Sequence, residues 1–469
     1  MTSFYWHDYE TFGIDPRRDR ACQFAGIRTD EDFNVIGKPL TLYCQPTPDF
    51  LPNPEACLVT GISPQDAMRK GVIEAEFIQQ IYQEMSQANT CSVGYNSIRF
   101  DDEFTRNLLY RNCYDPYERE YKLGNSRWDI IDLARITRAL RPEGINWVDD
   151  DKGIPSFRLD KLTIANGIEH GAAHDALADV YATIELAKLI KQQQPKLYNF
   201  VFNHRSKASL NALLKLGSMT PLLHISGMYP AVKGCLAMVV PLCFHPTNSN
   251  GVIVYDLSID PEPLLSLTAD EIYQRVFTAA NDLPEGIARI PLKTVHINKC
   301  PVLAPISVLR SEDAERLQLD KTLCLNHLAK LSQRANWSVL LNEVFNRDSF
   351  AEETNPDLMI YSGGFLNAAD KAELSKIRQT PEETIADLKP NFRAKHLAEL
   401  FFRYKARNYP MSLTEPERQH WQDFCQQRIT DKSAGASIVL AEYMQRLSQL
   451  KEQPEVDMNL ITALENYIS

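Results

Sequence analysis

Hydrophobic patterning changes twice along the 469 residues, and those two changes limit the fold more than any other feature of the chain. The opening Phe4-Tyr5-Trp6-His7-Asp8-Tyr9-Glu10 has the aromatic-rich make-up of a strand ending by Gly13, and Cys22 to Arg28 reads as another. Asp175 to Lys191 then sets Leu177, Val180, Ile184 and Leu186/Ala187 three and four apart, the spacing of a helix with one face on a core. Strands early and helices later predict an α/β domain over residues 1–193, closed by Gln192-Gln193-Gln194-Pro195, which reads as a linker. The pattern next turns to short apolar runs: Cys235 to Val240, interrupted by Pro241 before Leu242-Cys243-Phe244, then Val252 to Tyr255 and Lys293 to Ile297. These predict a small β-rich domain over 194–347. From about Asp348 Pro and Gly thin out while Glu, Lys, Leu and Ala dominate, as in Lys395 to Tyr404 and Ala436 to Glu452, so 348–469 is predicted all-helical.

The chain has neither a basic leader over Met1 to Asp8 nor an apolar run of about 18 residues, which speaks against secretion and membrane spanning. Its ten cysteines are scattered singly, without zinc-finger spacing, and fit reduced, mostly buried thiols in a cytoplasm. Lys plus Arg at 50 against Asp plus Glu at 61 gives 50 − 61 = −11, which alone argues against a nucleic-acid partner. Carboxylates that hold divalent cations count as negative in that sum, however, while making a positive patch in the folded protein. Basic residues are also locally dense in Asn391 to Arg407, with Arg393, Lys395, Arg403, Lys405 and Arg407. The charge sum therefore excludes nothing.

Three acidic groups stand out. Asp8 and Glu10, two apart on a predicted strand, point to one face about 7 Å apart along the backbone. An arbitrary Asp-x-Glu is more often a solvated strand face. Asp101-Asp102-Glu103 follows Gly94-Tyr95-Asn96-Ser97-Ile98-Arg99-Phe100, and alone it would be a helix N-terminus. In His174-Asp175-Ala176-Leu177-Ala178-Asp179 a continuous helix would turn His174 about 140° from Asp179. His174 is therefore placed in the preceding loop, Asp179 one turn into the helix, and Asp175 at the N-cap.

Taken in order, Asp-x-Glu, Asn-x-x-x-Phe-Asp and His-x-x-x-x-Asp resemble the DnaQ-like 3′-to-5′ exonucleases of the DEDDh type, whose domain is a ribonuclease-H-like α/β sheet. Longer stretches narrow the likeness to the bacterial exodeoxyribonuclease I family: His7 to Gly13, Gly94 to Asn107, Arg141 to Trp147, Ala165 to His170, His296 to Pro301 and Phe402 to Asn408. That resemblance spans essentially the whole chain. It implies an SH3-like second domain and an all-α third domain that close a groove around a single DNA strand. It also implies that Asp8, Glu10, Asp101 and Asp179 ligate two Mg²⁺ or Mn²⁺ ions about 3.5–4 Å apart on the scissile phosphate, with His174 as general base. Asp102 and Glu103 match neighbours of the motif and are left out of the site.

For the DNA path the resemblance implies phosphate contact by Arg158. Arg106, Tyr117, Tyr121 and Arg135, in or beside an aromatic and basic stretch, are candidate strand contacts, and Thr11 and Phe12 are candidate borders of the terminal nucleotide, with core packing a rival for the rings. It further implies a monomer that docks the acidic C-terminal tail of the single-stranded-DNA-binding protein on Arg141 and Arg310, and roles in repair and recombination. An exoribonuclease of the same superfamily, or a non-catalytic DNA-binding scaffold, are the alternatives. The two additional domains count against the first, and the complete set of acids with His174 against the second.

Overall fold

The computed structural model describes residues 2–169, 175–347 and 353–468. Five strands, β1 (Ser3–Thr11), β2 (Ala21–Thr29), β3 (Leu40–Tyr43), β4 (Thr90–Gly94) and β5 (Ser126–Asp129), form a sheet in the order β3-β2-β1-β4-β5. β1 is central, antiparallel to β2 and parallel to β4. The two strands expected from the sequence fall inside β1 and β2. Alternation splits the side chains of β1 between two faces. Tyr5 and Tyr9 enter a core with Phe24, Phe77, Ile78, Leu108 and Leu109. Asp8 and Glu10 belong to the other face, in line with Phe4 and Trp6, whose rings lie 5.6 Å apart.

A parallel pair needs a crossover, and between β1 and β4 the chain supplies the helix Glu74–Met85, which buries Phe77, Ile78, Ile81 and Met85 at helical spacing. β4 ends at Gly94, where a Cβ would come within 2.9 Å of the His7 carbonyl oxygen. The chain then enters the helix Asp101–Arg111. Glycine thus permits the close approach that brings the second acidic group beside β1.

A hairpin of β6 (Val148–Asp149) and β7 (Pro155–Ser156) precedes a second five-stranded sheet. Its strands are β8 (Leu222–Ile225), β9 (Leu236–Phe244), β10 (Gly251–Asp256), β11 (Leu292–His296) and β12 (Val302–Pro305), ordered β11-β10-β9-β8-β12 and antiparallel throughout. Pro241 does not interrupt the apolar run, contrary to the expectation from sequence. The register passes from Ile253–Cys243 to Val254–Pro241, so Leu242 is the extra residue of a bulge, a position where a residue without an N–H is tolerated. The Gln192–Pro195 linker is also corrected. The helix Ala176–Gln193 stops there, but Pro195 opens the next helix, Pro195–Asn203, at once.

From 353 on, the described residues hold helices and no strand, among them His396–Asn408, Glu415–Thr430, Leu440–Lys451 and Met458–Tyr467. Two compact units cut across the linear division 1–193, 194–347, 348–469: Met1–Arg127, His170–Ile184 and Ala351–Ser469 form one, Trp128–Glu169 and Glu185–Phe350 the other. Within the first unit, Phe12, Cys22, Phe50 and Cys57 share a core with Ile438, Tyr443, Leu447, Ile461 and Leu464. The basic stretch 391–407 turns largely inward there: Arg403 and Arg407 bind Asp357, Arg407 also binds Asp49, and Lys405 binds Glu417. All three cations are buried, so this part of the basic density is structural.

All ten cysteines are free. Among the described residues no helix is long and apolar enough to cross a membrane.

Candidate active site

The end of β1 and the first turn of the helix Ala176–Gln193 bring Asp8, Glu10 and Asp179 together, one carboxylate oxygen of each lying within 4.8 Å of the others. Asp101, first residue of its helix and 3% exposed, joins them from a fourth position in the sequence. Its Oδ1 accepts a hydrogen bond from the Tyr9 amide at 3.2 Å, which fixes it against β1. Burial, then the charges of Asp101, Glu10 and Asp179, push the Asp8 carboxyl well above its usual range. Burial, then Asp179 and Asp175, push Glu10 up to about 8. Hard oxygen donors crowded out of water at this spacing suit a divalent cation, which would relieve the repulsion that raises both groups. Three of the four acids called from the sequence, Asp8, Glu10 and Asp179, are thus gathered in one place, Asp101 is near enough for its charge to act on Asp8, and His174 lies outside the described residues.

The neighbours sort themselves by partner. Asp102 is held by Arg119 at 2.5 Å and Arg127 at 2.9 Å, which keep its carboxyl well below the usual range despite burial, and Glu103 pairs with Arg106 at 2.9 Å. Asp102 thus ties the start of its helix to Arg119 and Arg127, while Glu103 pairs within the helix. Asp175 caps the helix of Asp179, accepting from the Leu177 amide at 3.3 Å. What sequence reasoning missed is its second effect, the charge it exerts on Glu10; its adjacency to His174 was the available signal. The Tyr9 amide was likewise missed, because a backbone donor leaves no trace in residue type.

The candidate DNA contacts fare differently. Thr11 is buried and donates to the Gly13 carbonyl at 2.7 Å. Phe12 is corrected to a core residue, fully enclosed with its ring 5.8 Å from that of Phe50. Arg106 is buried between Glu103 and Glu120 and faces the ring of Tyr117, whose hydroxyl donates to the Ile360 carbonyl at 3.2 Å. Tyr121 is 61% exposed. In the second unit Arg135 is paired with Asp132 at 2.6 Å, while Arg158, with 63% of its side chain exposed, is paired with Asp160 at 2.8 Å. Arg141 and Arg310, far apart in sequence, converge on Asp313, at 3.6 and 2.6 Å.

A carboxylate cluster at the end of the central strand of a mixed sheet suits a metal-dependent nuclease, and comparison with known proteins shows the exonuclease class. Three family models match in order: Exonuclease over residues 5–187, Exonuclease I SH3-like domain over 205–347 and Exonuclease I C-terminal domain over 354–469. Exodeoxyribonuclease I of Haemophilus influenzae is 47% identical over 467 residues, 99% of this chain and 98% of its own. The structure of exonuclease I from Methylocaldum szegediense superposes with a TM-score of 0.95 at 52% identity, covering 100% of this chain and 99% of that one. The zinc-bound complex of E. coli exonuclease I with single-stranded DNA gives 0.95 at 45%, with the same coverage. The chain belongs to the exodeoxyribonuclease I family. It is accordingly an exonuclease with a ribonuclease-H-like domain, an SH3-like domain and a helical C-terminal domain, acting on single-stranded DNA.

Proposed function

We propose that the chain removes nucleotides one at a time from the 3′ end of single-stranded DNA and releases 5′-mononucleotides by hydrolysis. The observation that carries this reading is the convergence of Asp8, Glu10 and Asp179, with the charge of Asp101 acting on Asp8. These four acids would hold two divalent ions, Mg²⁺ with Mn²⁺ as a substitute, through oxygen donors. Bound there, such ions would supply Lewis acidity at the phosphodiester and make a nearby water more acidic. The chain's own part is to fix the carboxylates, through β1, the Tyr9 amide and the capped helix. His174, just before that helix, takes the proton of the attacking water, a task that suits a pKa near ~6.5.

Arg158 and Tyr121, the two most exposed of the strand-contact candidates, offer a cation to phosphate and a ring to a base. Thr11, Arg106, Tyr117 and Arg135 hold the surrounding backbone and rings in place. The solved SSB/exonuclease I complex supports docking of the single-stranded-DNA-binding protein, for which the paired Arg141 and Arg310 are the basic anchor. Ten free thiols fit a reducing compartment, and we place the enzyme in the cytoplasm as a monomer that works in repair and recombination.

A single-stranded oligonucleotide labelled at either end tests the reading. With Mg²⁺ the strand is expected to shorten from its 3′ end, with mononucleotide products, and to stay intact without the ion. A matched RNA is expected to be cut more slowly. An intact DNA strand in Mg²⁺, or shortening from the 5′ end, would overturn it. Elution at the 53.4 kDa of one chain checks the monomer.

A further inference from the structure

Tyr9 stands between Asp8 and Glu10 on β1 but turns to the opposite face, into the core. Its ring is buried, 4.8 Å from that of Phe24 and 6.4 Å from that of Phe77, which holds the phenol oxygen at its tip in one place. That oxygen lies 3.1 Å from the hydroxyl of Thr105. Thr105 is itself buried, one turn into the helix that opens with Asp101, and residues four apart on a helix share a face. Its hydroxyl also lies 2.8 Å from the Asp101 carbonyl. A hydroxyl has one hydrogen and a carbonyl oxygen can only accept, so Thr105 donates to Asp101 and the Tyr9 phenol donates to Thr105.

Tyr9 therefore reaches Asp101 from two directions. Its amide meets the carboxylate, at Oδ1, and its phenol, through Thr105, meets the carbonyl at the other end of the same residue. The start of this helix has reason to be held from outside. Phe100, its N-cap, offers no side-chain hydrogen bond, and three acids, Asp101, Asp102 and Glu103, share the first turn. Asp102 is anchored separately, by Arg119 and Arg127.

We infer that Tyr9 and Thr105 are positioning residues for the divalent-ion site: the chain from phenol to hydroxyl to carbonyl sets where Asp101 presents its carboxylate against β1. Neither side chain is itself a ligand. The inference rests on the reading of Asp8, Glu10, Asp101 and Asp179 as that site. A ligand already held in place loses less freedom when an ion binds. Breaking the chain should therefore weaken ion binding and leave the chemistry intact once the ion saturates.

Calorimetric titration of manganese chloride into the full chain, without DNA, tests it. Tyr9→Phe keeps the ring and the amide and removes only the phenol; Thr105→Val keeps the shape and removes the hydroxyl. Each is expected to weaken Mn²⁺ binding by about five-fold, the worth of one buried hydrogen bond, and the double variant to go no further than Thr105→Val, because both break one chain. Thr105→Ser, which restores the hydroxyl, is expected to bind as the native chain does. In hydrolysis the Mg²⁺ concentration for half-maximal rate is expected to rise in step, with kcat at saturating Mg²⁺ and KM for DNA close to native. Thr105→Val also leaves the phenol buried without a partner, so Tyr9→Phe decides the case if the other variant fails to fold. Native Mn²⁺ affinity in folded Tyr9→Phe overturns the inference even where its melting temperature falls, for that is the mark of a bond that serves the fold alone. Absence of Mn²⁺ binding by the native chain would overturn the divalent-ion reading, and the inference with it.

Discussion

At Asp8 the nearest charges are Asp101, Glu10 and Asp179, all of one sign, and burial has removed most of the water that would screen them. Asp8→Asn or Asp179→Asn keeps the shape of the site but withdraws a ligand charge. Each is expected to lower kcat by about 100-fold or more, measured as mononucleotide release, with little change in DNA affinity measured by fluorescence anisotropy in Ca²⁺. Glu10 gives a pH signature. Its folded value, about 8, lies above the ordinary 4.5, so between those values the metal-free fold holds a proton that the unfolded chain has lost. Stability from this group is present below the lower value and falls as pH rises through the higher one. In EDTA the urea midpoint is therefore expected to fall from pH 5 to pH 8 relative to Glu10→Gln; parallel pH profiles would refute the assignment. Excess Mg²⁺ is expected to remove the difference.

β1 shows how much an element can be asked to carry: aromatic rings into one core, carboxylates toward the site, and Phe12, just beyond its end, into a core shared with the C-terminal helices. Phe12→Ala is expected to cost about 3–5 kcal/mol in chemical unfolding, with turnover per folded molecule nearly unchanged. β1, β2 and the helix of Asp179 were legible because alternation and three-four spacing are local signals. The four candidate acids stood out only in combination, since each acidic group alone also fits a solvated face or a helix N-terminus. The role of Pro241 was not legible, because the bulge that accommodates it is set by register with β10. The inward turn of Arg403, Lys405 and Arg407 was hidden for a similar reason: Asp49, the partner of Arg407, lies far away in sequence. Asp49, Glu74 and Asp357 all have folded values below the ordinary range, Arg407 and its neighbours outweighing the opposing effect of burial. Their contribution is therefore full above the ordinary carboxylate range and is lost as pH falls below it. Acid is expected to loosen this junction, seen as faster amide exchange in His396–Asn408 below about pH 4.

On the scale of the molecule, the helical region is a wall of the nuclease core as well as a domain of its own. Ending the chain at residue 353 would strip Asp49 of Arg407 and Arg428 and expose Phe12, Cys22 and Phe50. The truncated protein is expected to lose its near-ultraviolet circular dichroism and its DNA cleavage together, and retention of both would contradict the shared core. The same feature sets an order of events during synthesis. Phe12 leaves the ribosome early, whereas Ile461 and Leu464, which cover it, are among the last residues made. At about 5–20 residues per second the wait is roughly 20–90 s. For that interval the nascent chain carries the start of its cutting machinery without the surface that steadies it, and the apolar patch around Phe12 stays uncovered until the last helices are made.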